Sequence, residues 1–569
     1  MPTEKKLTGY PSIDKPWLKY YSEEAINATL PECTIYEYLW ENNKDHLDDI
    51  ALIYFGKKVT YGELFENIDK AARAFVAFGI KKGEIVSVCM ASTPETIYTI
   101  YALNKIGAIP DLLDPRTNTA GLEFFLKESG SRLLLTIDVA MPKFNAIEDL
   151  SNIENIVSVS PACSLSFIKR SLYNTANKVN TDGSITWNEF IKRGKNHSYT
   201  ASKYRKSSLA TIVHTGGTTG VPKGVMLSDD SINSIAHQYR MMAHYNRSQM
   251  LLDIIPPFAS YGLCTSIHMP LSLGLYVTLI PKFNPDEFGD LIIKYKPNYV
   301  MGVPSFWLNL LNNTKFDNFD LSFLVCAACG GDSMNETAEK AMNGFFATHN
   351  AHITVDKGYG MSEMSATAVS CYGDINKLGS VGIPMACNNA CIVDPDTNEE
   401  LMYGLQGEIC LSGPGIMLGY YKNEELTEKT VKRHSDGLMW LHTGDLGHIS
   451  KDGFLYHDGR IKRMIVRYDG FKIYPEAVEK VITENKAISN CAVVKKDIAE
   501  LGIVAIAFLT MERSQTENKE TIIKEIDNSC RNNLPERAVP YKYIFIDELP
   551  ITSMGKVDYR TLEKEAEKL

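Results

Sequence analysis

Short apolar runs alternate along the chain with segments whose apolar residues recur at helical spacing. The run IALIYFG (50–56) precedes the helical pattern YGELFENIDKAARAFVAFGI (61–80), and IVSVCM (85–90) precedes PETIYTIYALNKIGA (94–108). The same rhythm returns in LEFFLKESGSRLLLTID (122–138) and FGDLIIKYKPNYVMGVPSFWLNLL (288–311). Strands that alternate with helices are typical of parallel sheets joined by helical crossovers. The pattern therefore predicts an α/β body of parallel-sheet subdomains through most of the chain.

The pattern changes twice in the last third of the chain. Between about 390 and 458, the short runs CIVDPDTNEEL, GEICLSGP and GFLYHDGR are separated by Gly, Asn and Asp turns, which indicates a β-rich subdomain. Beyond residue 460, two strand patterns lie between two helical ones, PEAVEKVITEN and KETIIKEIDNSCRNNL. A tail of that size is large enough to fold separately. We therefore predict an N-terminal domain over 1–460 and a small α+β domain over 461–569.

Length, composition and charge exclude several classes of protein. A chain of 569 residues is too long for one hydrophobic core, and 44% hydrophobic and 22% charged residues are ordinary for a globular protein. The formal charge of −10 disfavours nucleic acid and anionic membrane surfaces as partners. The sequence has no signal-peptide pattern and no apolar run of about 18 residues, so we expect a cytoplasmic protein without a transmembrane segment. The pair Cys326 and Cys329 lacks the second pair or nearby histidine that a zinc site needs.

The strongest local signal is TIVHTGGTTGVPKGVMLS (211–228), an apolar strand that enters a turn rich in Gly and Thr and carrying one lysine. Glycines let backbone N–H groups approach phosphate oxygens, threonine hydroxyls add donors and the lysine adds positive charge. Because Pro222 precedes the lysine, this is not a Walker A loop. A plain surface turn is the alternative from this segment alone. The candidate phosphate-binding residues are Thr215, Gly216, Gly217, Thr218, Thr219, Gly220 and Lys223.

The segment resembles the phosphate loop of the adenylate-forming superfamily, which includes acyl-CoA synthetases, firefly luciferase and the adenylation domains of peptide synthetases. Four further motifs similar to those of the family follow in the same order: GYGMSE (358–363), GEICLSGPGIMLGYY (407–421), WLHTGDLGHISKDGFLYHDGRIKR (440–463) and LPITSMGKVDY (549–559). The resemblance implies a ligase with a large N-terminal part and a small mobile C-terminal lid. It also implies ATP, Mg²⁺ and a thiol acceptor as partners in the reaction.

The resemblance assigns the two lysines of the tail and one glutamate to the chemical steps. Lys556 is similar to the family lysine that reaches from the lid to the carboxylate and the α-phosphate, and Lys462 occupies the family's hinge position. Glu363 resembles the magnesium ligand, as expected for an ion that takes one carboxylate besides phosphate oxygens and waters. From local sequence alone, an exposed lysine or a glutamate at a helix start would look the same.

Five more motif positions are similar to those that hold the nucleoside. Tyr359, with Gly360 and Ser362 of the same motif, would lie against the adenine ring. Asp445 would accept hydrogen bonds from the two ribose hydroxyls, and Arg460 would bind ribose or phosphate. A core tyrosine, a turn aspartate and an exposed arginine are the respective structural alternatives.

The acid that such an enzyme would activate is constrained by two further segments. Relatives that activate amino acids carry an acidic residue after the phosphate loop, whereas PPFASYG (256–262) has none. The wall segments YVMGVPSFW (299–307) and AACGGDS (327–333) are apolar and rich in small residues. We therefore expect a medium- or long-chain fatty acid, with an aryl or short acid as the alternative. The candidate substrate residues are Phe258, Tyr261, Met301, Gly302, Ser305, Gly330 and Gly331.

The thiol acceptor is expected to be coenzyme A, and the alternative is the phosphopantetheine arm of an acyl or peptidyl carrier protein. Both end in the same thiol, and GFKIYPEAVE (470–479) resembles the segment along which the pantetheine runs. A luciferase-like oxygenase would share every motif. A non-catalytic nucleotide sensor is the alternative from another class, but such a protein has no need to keep Lys223, Glu363, Asp445, Arg460 and Lys556 together.

Overall fold

The computed structural model describes residues 7–150, 152–176, 179–215, 223–243, 245–467, 469, 471–498, 502–512, 518–551 and 557–569. The predicted fold class is confirmed, because parallel strands alternate with helices up to residue 361. The α-helices are Pro11–Asp14, Glu23–Ile26, Ile35–Asn43, Tyr61–Ala77, Pro94–Ile106, Thr119–Ser129, Met141–Asn145, Phe167–Ala176, Trp187–Gly194, Asp229–Met242, Met269–Ser272, Phe288–Tyr295, Pro304–Leu308, Glu336–Thr348, Glu424–Thr430, Pro475–Thr483, Lys519–Asn533 and Tyr559–Glu567.

Shorter helical turns are of two kinds. The 3₁₀ turns are Pro16–Tyr20, Asp138–Ala140, Pro285–Glu287, Thr314–Phe316, Ser362–Met364, Ile461–Arg463 and Glu536–Ala538. A π-helical turn covers Gly262–His268 and begins at the last residue of the segment 256–262. Such turns are frequent at functional sites.

The first large sheet has nine strands. Its five inner pairings are parallel, and antiparallel strands close both edges. In spatial order the strands are Ile383–Pro384, Ala366–Ser370, Val355–Met361, Cys326–Cys329, Tyr299–Gly302, Met250–Asp253, Tyr276–Leu279, Ile50–Tyr54 and Lys57–Thr60.

The second large sheet has eight strands and the same mixed character. Its parallel part ends at Leu209–Thr215, which pairs antiparallel with Lys223–Ser228. In spatial order the strands are Gly419–Tyr420, Lys223–Ser228, Leu209–Thr215, Ile109–Leu112, Ile85–Cys89, Leu133–Ile137, Asn155–Val159 and Ile185–Thr186. Thr215 stands at the carboxyl end of its strand, where ligands of open α/β sheets bind.

The β-rich segment is a sheet of its own, as its turn-rich sequence predicts. All of its pairings are antiparallel. Its strands are Asn389–Val393, Gly407–Ser412, Met439–Ile449 and Val431–Arg433 in spatial order, with Leu455–Arg460 paired to Met439–Ile449.

The tail contains a three-stranded sheet, Ile488–Ile498, Gly502–Met511 and Lys542–Phe545, and a two-stranded ribbon, Ile465–Val466 with Lys472–Ile473. Its buried apolar side chains form two clusters that include no described residue before Ile465. A separate core is the property that lets a segment fold as a domain. The boundary at 460/461 remains a prediction.

Local signals explain where the main helices begin. Thr60 accepts a hydrogen bond from the backbone of Glu63, and the Glu63 side chain reaches back to the Thr60 backbone, which is a complete capping box for Tyr61–Ala77. Thr93 caps the helix Pro94–Ile106, which begins with a proline. Proline is tolerated in the first turn because the N–H groups there have no acceptor within the helix. None of the described helices has the length and apolar character that a membrane span requires.

Gly360 is the position where two strands approach most closely beside the predicted nucleotide site. A Cβ at Gly360 would lie 1.8 Å from the carbonyl oxygen of Ala366 on the neighbouring strand. We predict that Gly360→Ala lowers the stability by about 1–3 kcal/mol, because the hairpin must open to admit the methyl group. Thermal unfolding followed by circular dichroism measures the change.

Gly344→Ala is the matched control for Gly360→Ala. Gly344 is exposed within the helix Glu336–Thr348, and a Cβ added there would have no neighbouring atom within 4 Å. Alanine at this position should stabilise the helix by about 0.5–1 kcal/mol. Equal shifts in the two variants would contradict the close approach at Gly360.

Candidate active site

The predicted phosphate loop joins two paired strands. Thr215 and Lys223 are register partners at the end of this hairpin, so both ends of the loop lie at one edge of the second sheet. Gly216, Gly217, Thr218, Thr219 and Gly220 lie outside the described residues. Thr215 and Lys223 both line one continuous cleft, which is called the cleft below.

Lys223 is surrounded by groups from three other segments. Its Nζ lies 4.9 Å from the ring centre of Tyr420, and the Tyr420 hydroxyl donates a hydrogen bond to Oε1 of Glu363 at 2.6 Å. Burial lowers the pKa of Lys223, the positive charge of Lys462 lowers it further, and the charge of Glu363 opposes both effects. The structure thus brings Lys223, Glu363 and Lys462 close together.

Tyr420 was not predicted as a site residue. It belongs to the short strand Gly419–Tyr420, which pairs with Lys223–Ser228 and so carries the ring to the lysine. The tyrosine pair at the end of GEICLSGPGIMLGYY was the available signal in the sequence.

The predicted nucleoside residues form a second group. The Tyr359 hydroxyl donates to Oδ2 of Asp445 at 2.8 Å, and Nε of Arg460 lies 3.2 Å from Oδ1 of the same carboxylate. Asp445 and Arg460 are register partners, and Asp445 is only 3% exposed. Burial raises the pKa of Tyr359 well above its ordinary value, and the charge of Asp445 raises it further. The three side chains line the cleft together with Gly360.

His457 belongs to the same group, although the sequence analysis did not select it. Its ring centre lies 5.5 Å from that of Tyr359, and its Nε2 lies 3.9 Å from Oδ2 of Asp445. It sits three residues before Arg460 in the motif, and that position was the signal available in the sequence.

Ser260 connects the segment 256–262 with the residues around Glu363. Its hydroxyl donates to the hydroxyl of Ser362 at 2.9 Å, and Ser362 directly precedes Glu363 in a 3₁₀ turn. The segment before the π-helical turn is tightly folded, because a Cβ at Gly262 would lie 2.0 Å from the carbonyl oxygen of Pro256. The hydrogen bond therefore links the segment 256–262 to the turn that carries Glu363.

Five of the seven predicted substrate residues line the cleft: Phe258, Tyr261, Ser305, Gly330 and Gly331. The other two, Met301 and Gly302, are not among the described residues that line the cleft. Met301 is a core side chain with 1% exposure, and a Cβ at Gly302 would lie 2.9 Å from the indole nitrogen of Trp307. Both belong to a buried strand of the first sheet, so they support the wall from behind.

The wall also carries polar groups that the apolar pattern did not predict. Asp356 and Tyr239 line the cleft, and the Tyr239 hydroxyl donates to Oγ1 of Thr367 at 3.1 Å. Burial raises the pKa of Asp356 to about 7, and a hydrogen bond with Cys326 opposes this rise. Tyr239 lies on a helix and Asp356 inside a strand, both outside the segments chosen from the sequence.

The tail contributes to the same cleft. Lys556 lies outside the described residues, but Ile551 and Val557, which flank its segment, form a β-bridge and both line the cleft. Lys462 lies in the turn Ile461–Arg463. The neighbouring Arg463 forms ion pairs of 2.6 Å with Glu476 and with Glu479.

Comparisons with known proteins identify the family. The family model for AMP-binding enzymes matches residues 39–421. The family model for the AMP-binding enzyme C-terminal domain matches residues 477–556. A Bacillus subtilis protein named long-chain-fatty-acid–CoA ligase is 30% identical over 570 residues, covering 97% of this chain and 98% of its own length. A Dictyostelium discoideum protein named probable 4-coumarate–CoA ligase 1 is 26% identical and covers 96% of this chain and 97% of its own length.

A solved structure shares the fold over almost the whole chain. It is that of the anthranilate CoA ligase AuaEII in complex with anthranoyl-AMP, with a TM-score of 0.81 at 20% identity, covering 95% of this chain and 98% of that one. The family match covers well over half of the chain, and the ordered motifs meet in one cleft. The chain therefore belongs to the AMP-binding enzyme family.

Proposed function

We propose that this protein is an ATP-dependent acid–thiol ligase that activates a medium- or long-chain fatty acid as acyl-AMP and transfers the acyl group to coenzyme A. The observation that carries the proposal is the meeting of Lys223, Glu363 and Lys462 with the Tyr359–Asp445–Arg460 group along one cleft. The names of full-length relatives as CoA ligases support the same reaction class.

The phosphate end supplies the charge that the first step needs. Activation brings a carboxylate and a triphosphate together, so positive charge must be fixed where the two anions meet. Lys223 and Lys462 supply it beside the loop between Thr215 and Lys223. The Glu363 carboxylate fits a Mg²⁺ ion, which takes one carboxylate besides phosphate oxygens and waters and would neutralise phosphate charge.

The nucleoside end explains recognition of ATP. Asp445 is buried, accepts a hydrogen bond from Tyr359 and forms an ion pair with Arg460, so its oxygens suit the paired hydroxyls of a ribose. The Tyr359 ring, beside Gly360, offers an apolar face to the adenine base. Glycine is needed beside that ring because the neighbouring strand approaches closely, with the carbonyl oxygen of Ala366 only 1.8 Å from where a Cβ of residue 360 would lie.

The two chemical steps follow from these groups. In the first, a carboxylate oxygen of the acid attacks the α-phosphorus of ATP, a new P–O bond forms, and the bond to the pyrophosphate oxygen breaks. Lys556 would reach from the tail to the carboxylate and the α-phosphate and stabilise the charge on them. In the second, the deprotonated thiol of coenzyme A attacks the acyl carbon, the acyl–phosphate bond breaks, and AMP leaves.

The small C-terminal domain, residues 461–569, would turn about Lys462 between the two steps. One orientation would bring Lys556 to the reacting carboxylate, and the other would let the thiol reach the acyl carbon. Hinges of a few residues at the end of an element are a common means of such gating. A cytoplasmic location is a further part of this proposal.

The wall of the cleft supports a fatty acid as the substrate and gives one reason to test aryl acids. Phe258 and Tyr261 offer apolar surface, and each buried methylene of a chain contributes about 0.8 kcal/mol. The polar pair Tyr239 and Asp356 favours an aryl acid that carries a hydroxyl group as the second candidate. The relative named as a probable 4-coumarate–CoA ligase points the same way.

Release of pyrophosphate tests the reaction and its substrate together. The purified protein with ATP and Mg²⁺ should release pyrophosphate with C8–C18 fatty acids and not with amino acids, and product formation should need coenzyme A. We predict that Lys556→Ala lowers the rate of pyrophosphate release by at least about a hundredfold, because the charge at the reacting phosphate is lost.

The control for Lys556→Ala is Lys564→Ala, which removes a lysine from the neighbouring helix Tyr559–Glu567 and should keep the wild-type rate. Acylation of a holo-carrier protein in place of coenzyme A would identify the carrier protein as the acceptor. Unchanged turnover of Lys556→Ala would refute the role of that lysine.

Asp445 should control the affinity for ATP. We predict that Asp445→Asn raises KM for ATP about tenfold to a hundredfold, because hydrogen bonds to a charged acceptor contribute about 1.5–3 kcal/mol. Steady-state kinetics at saturating acid measures it. Asp458→Asn is the control: Asp458 lies in the same strand as Arg460 and pairs with His448, at 2.9 Å. Similar KM values for both variants would argue against ribose binding at Asp445.

Asp356 should make the binding of an apolar acid depend on pH. Its pKa of about 7 means that the carboxyl group loses its proton as the pH rises from about 6 to 8. The ionised form disfavours an apolar chain beside it, so we predict that KM for decanoate rises several-fold over this range. The pyrophosphate assay without coenzyme A measures it, which avoids ionisation of the thiol.

The variant Asp356→Asn cannot ionise and should give a flat KM profile between pH 6 and 8. The exposed Asp317, changed to Asn, should keep the wild-type rise. A flat KM profile in the wild type would show that the acyl chain of the substrate does not contact Asp356.

A further inference from the structure

Two histidines and a cysteine meet in the β-rich sheet, at a place to which the proposed reaction gives no role. Cys410 and His442 are register partners on adjacent strands, Gly407–Ser412 and Met439–Ile449. His434 lies in the turn that precedes the second of these strands and approaches His442 from there. The antiparallel pairing therefore sets the positions of two side chains, and a turn brings the third.

The potential ligand atoms are close enough to share one ion. The cysteine sulfur and one nitrogen of each histidine all lie within 4.8 Å of one another, and the two Nε2 atoms are 3.0 Å apart. In a tetrahedral zinc site, with Zn–N about 2.0–2.1 Å and Zn–S about 2.3 Å, neighbouring ligand atoms are about 3.3–3.7 Å apart. Small side-chain rotations would convert the observed spacing into a coordination shell.

The surroundings orient both imidazoles. Nδ1 of His442 lies 2.9 Å from Oε2 of Glu408, so this nitrogen donates to the carboxylate and Nε2 is left as the lone-pair atom. The His434 ring stacks on Trp440 with 5.3 Å between ring centres, and the Trp440 indole donates to Asp436 at 3.0 Å. A carboxylate behind a histidine is the arrangement that fixes tautomer and orientation in metal sites.

We propose that Cys410, His434 and His442 bind one Zn²⁺ ion, with water as the fourth ligand. A thiolate with two imidazoles is a ligand set that favours zinc over calcium or magnesium. On binding, the Cys410 thiol loses one proton to solvent and the His434 proton shifts to Nδ1, so the net charge of ion and ligands is +1. The Glu408 carboxylate, in contact with His442, balances it.

The ion would fasten the turn that carries His434 to the central strands of the β-rich sheet. Glu408 also accepts a hydrogen bond from the backbone N–H of Gly444 at 2.9 Å, next to Asp445. The proposed site thus supports the strand that leads to the nucleoside group, and it does not depend on the identity of the acid or the thiol.

Cobalt substitution tests the site directly. Untagged full-length protein, reduced and freed of metal with a chelator, is titrated with Co²⁺ and then with Zn²⁺. One equivalent of Co²⁺ should give the intense visible bands of four-coordinate cobalt and a sulfur-to-cobalt charge-transfer band in the near ultraviolet, and Zn²⁺ should abolish both. Only the weak bands of six-coordinate cobalt would overturn the proposal.

Variants assign the ligands. Cys410→Ser should remove the charge-transfer band, and His434→Gln should weaken Co²⁺ binding at least about tenfold. Because His434 is half-buried in a turn, its variant keeps the proposal testable if Cys410→Ser does not fold. The exposed Cys387, changed to Ser, and His46→Gln should leave the spectrum unchanged. Equal binding by His434→Gln and the wild type would refute the site.

Discussion

The hydrogen bond from Tyr420 to Glu363 joins the two large sheets at the point where the cleft opens. Tyr420 belongs to the edge strand of the second sheet, and Glu363 follows the long strand Val355–Met361 of the first. A backbone hydrogen bond from the N–H of Met417 to the carbonyl of Glu363, 2.9 Å long, reinforces the contact. These contacts hold the two large sheets against each other, so that Lys223, Glu363 and the Tyr359–Asp445–Arg460 group line one cleft.

This junction also sets the electrostatics of the cleft. Lys223 is partly withdrawn from water and lies near a second cation, Lys462, and both effects lower its pKa, while Glu363 acts in the other direction. The nucleoside end is arranged the other way, since Asp445 is a buried anion matched by Arg460. The two ends therefore differ in their charged groups, with two lysines and one carboxylate at the first and one carboxylate and one arginine at the second.

The sequence allowed most of the fold to be predicted, and the site less completely. Alternation of strands and helices is a local property, so segments such as Tyr61–Ala77 and Pro94–Ile106 were found close to their observed ends. Residues inside contiguous motifs, such as Tyr359 and Asp445, could be selected from the sequence, and they lie together in the cleft. Tyr239 and Asp356 were missed because the direction of a side chain into a shared wall depends on sheet packing. For the same reason Met301 and Gly302 were assigned to a wall that they only support.

Arg463 limits how the tail can turn relative to the rest of the chain. Its guanidinium is held by Glu476 and Glu479 and lies 3.6 Å from the ring centre of Tyr559, so all of these contacts are with the tail. Any swivel of the tail must carry Arg463 along as part of the moving body. The change in backbone torsion angles would then be confined to Ile461 and Lys462, the one or two peptide units between the N-terminal part and the tail.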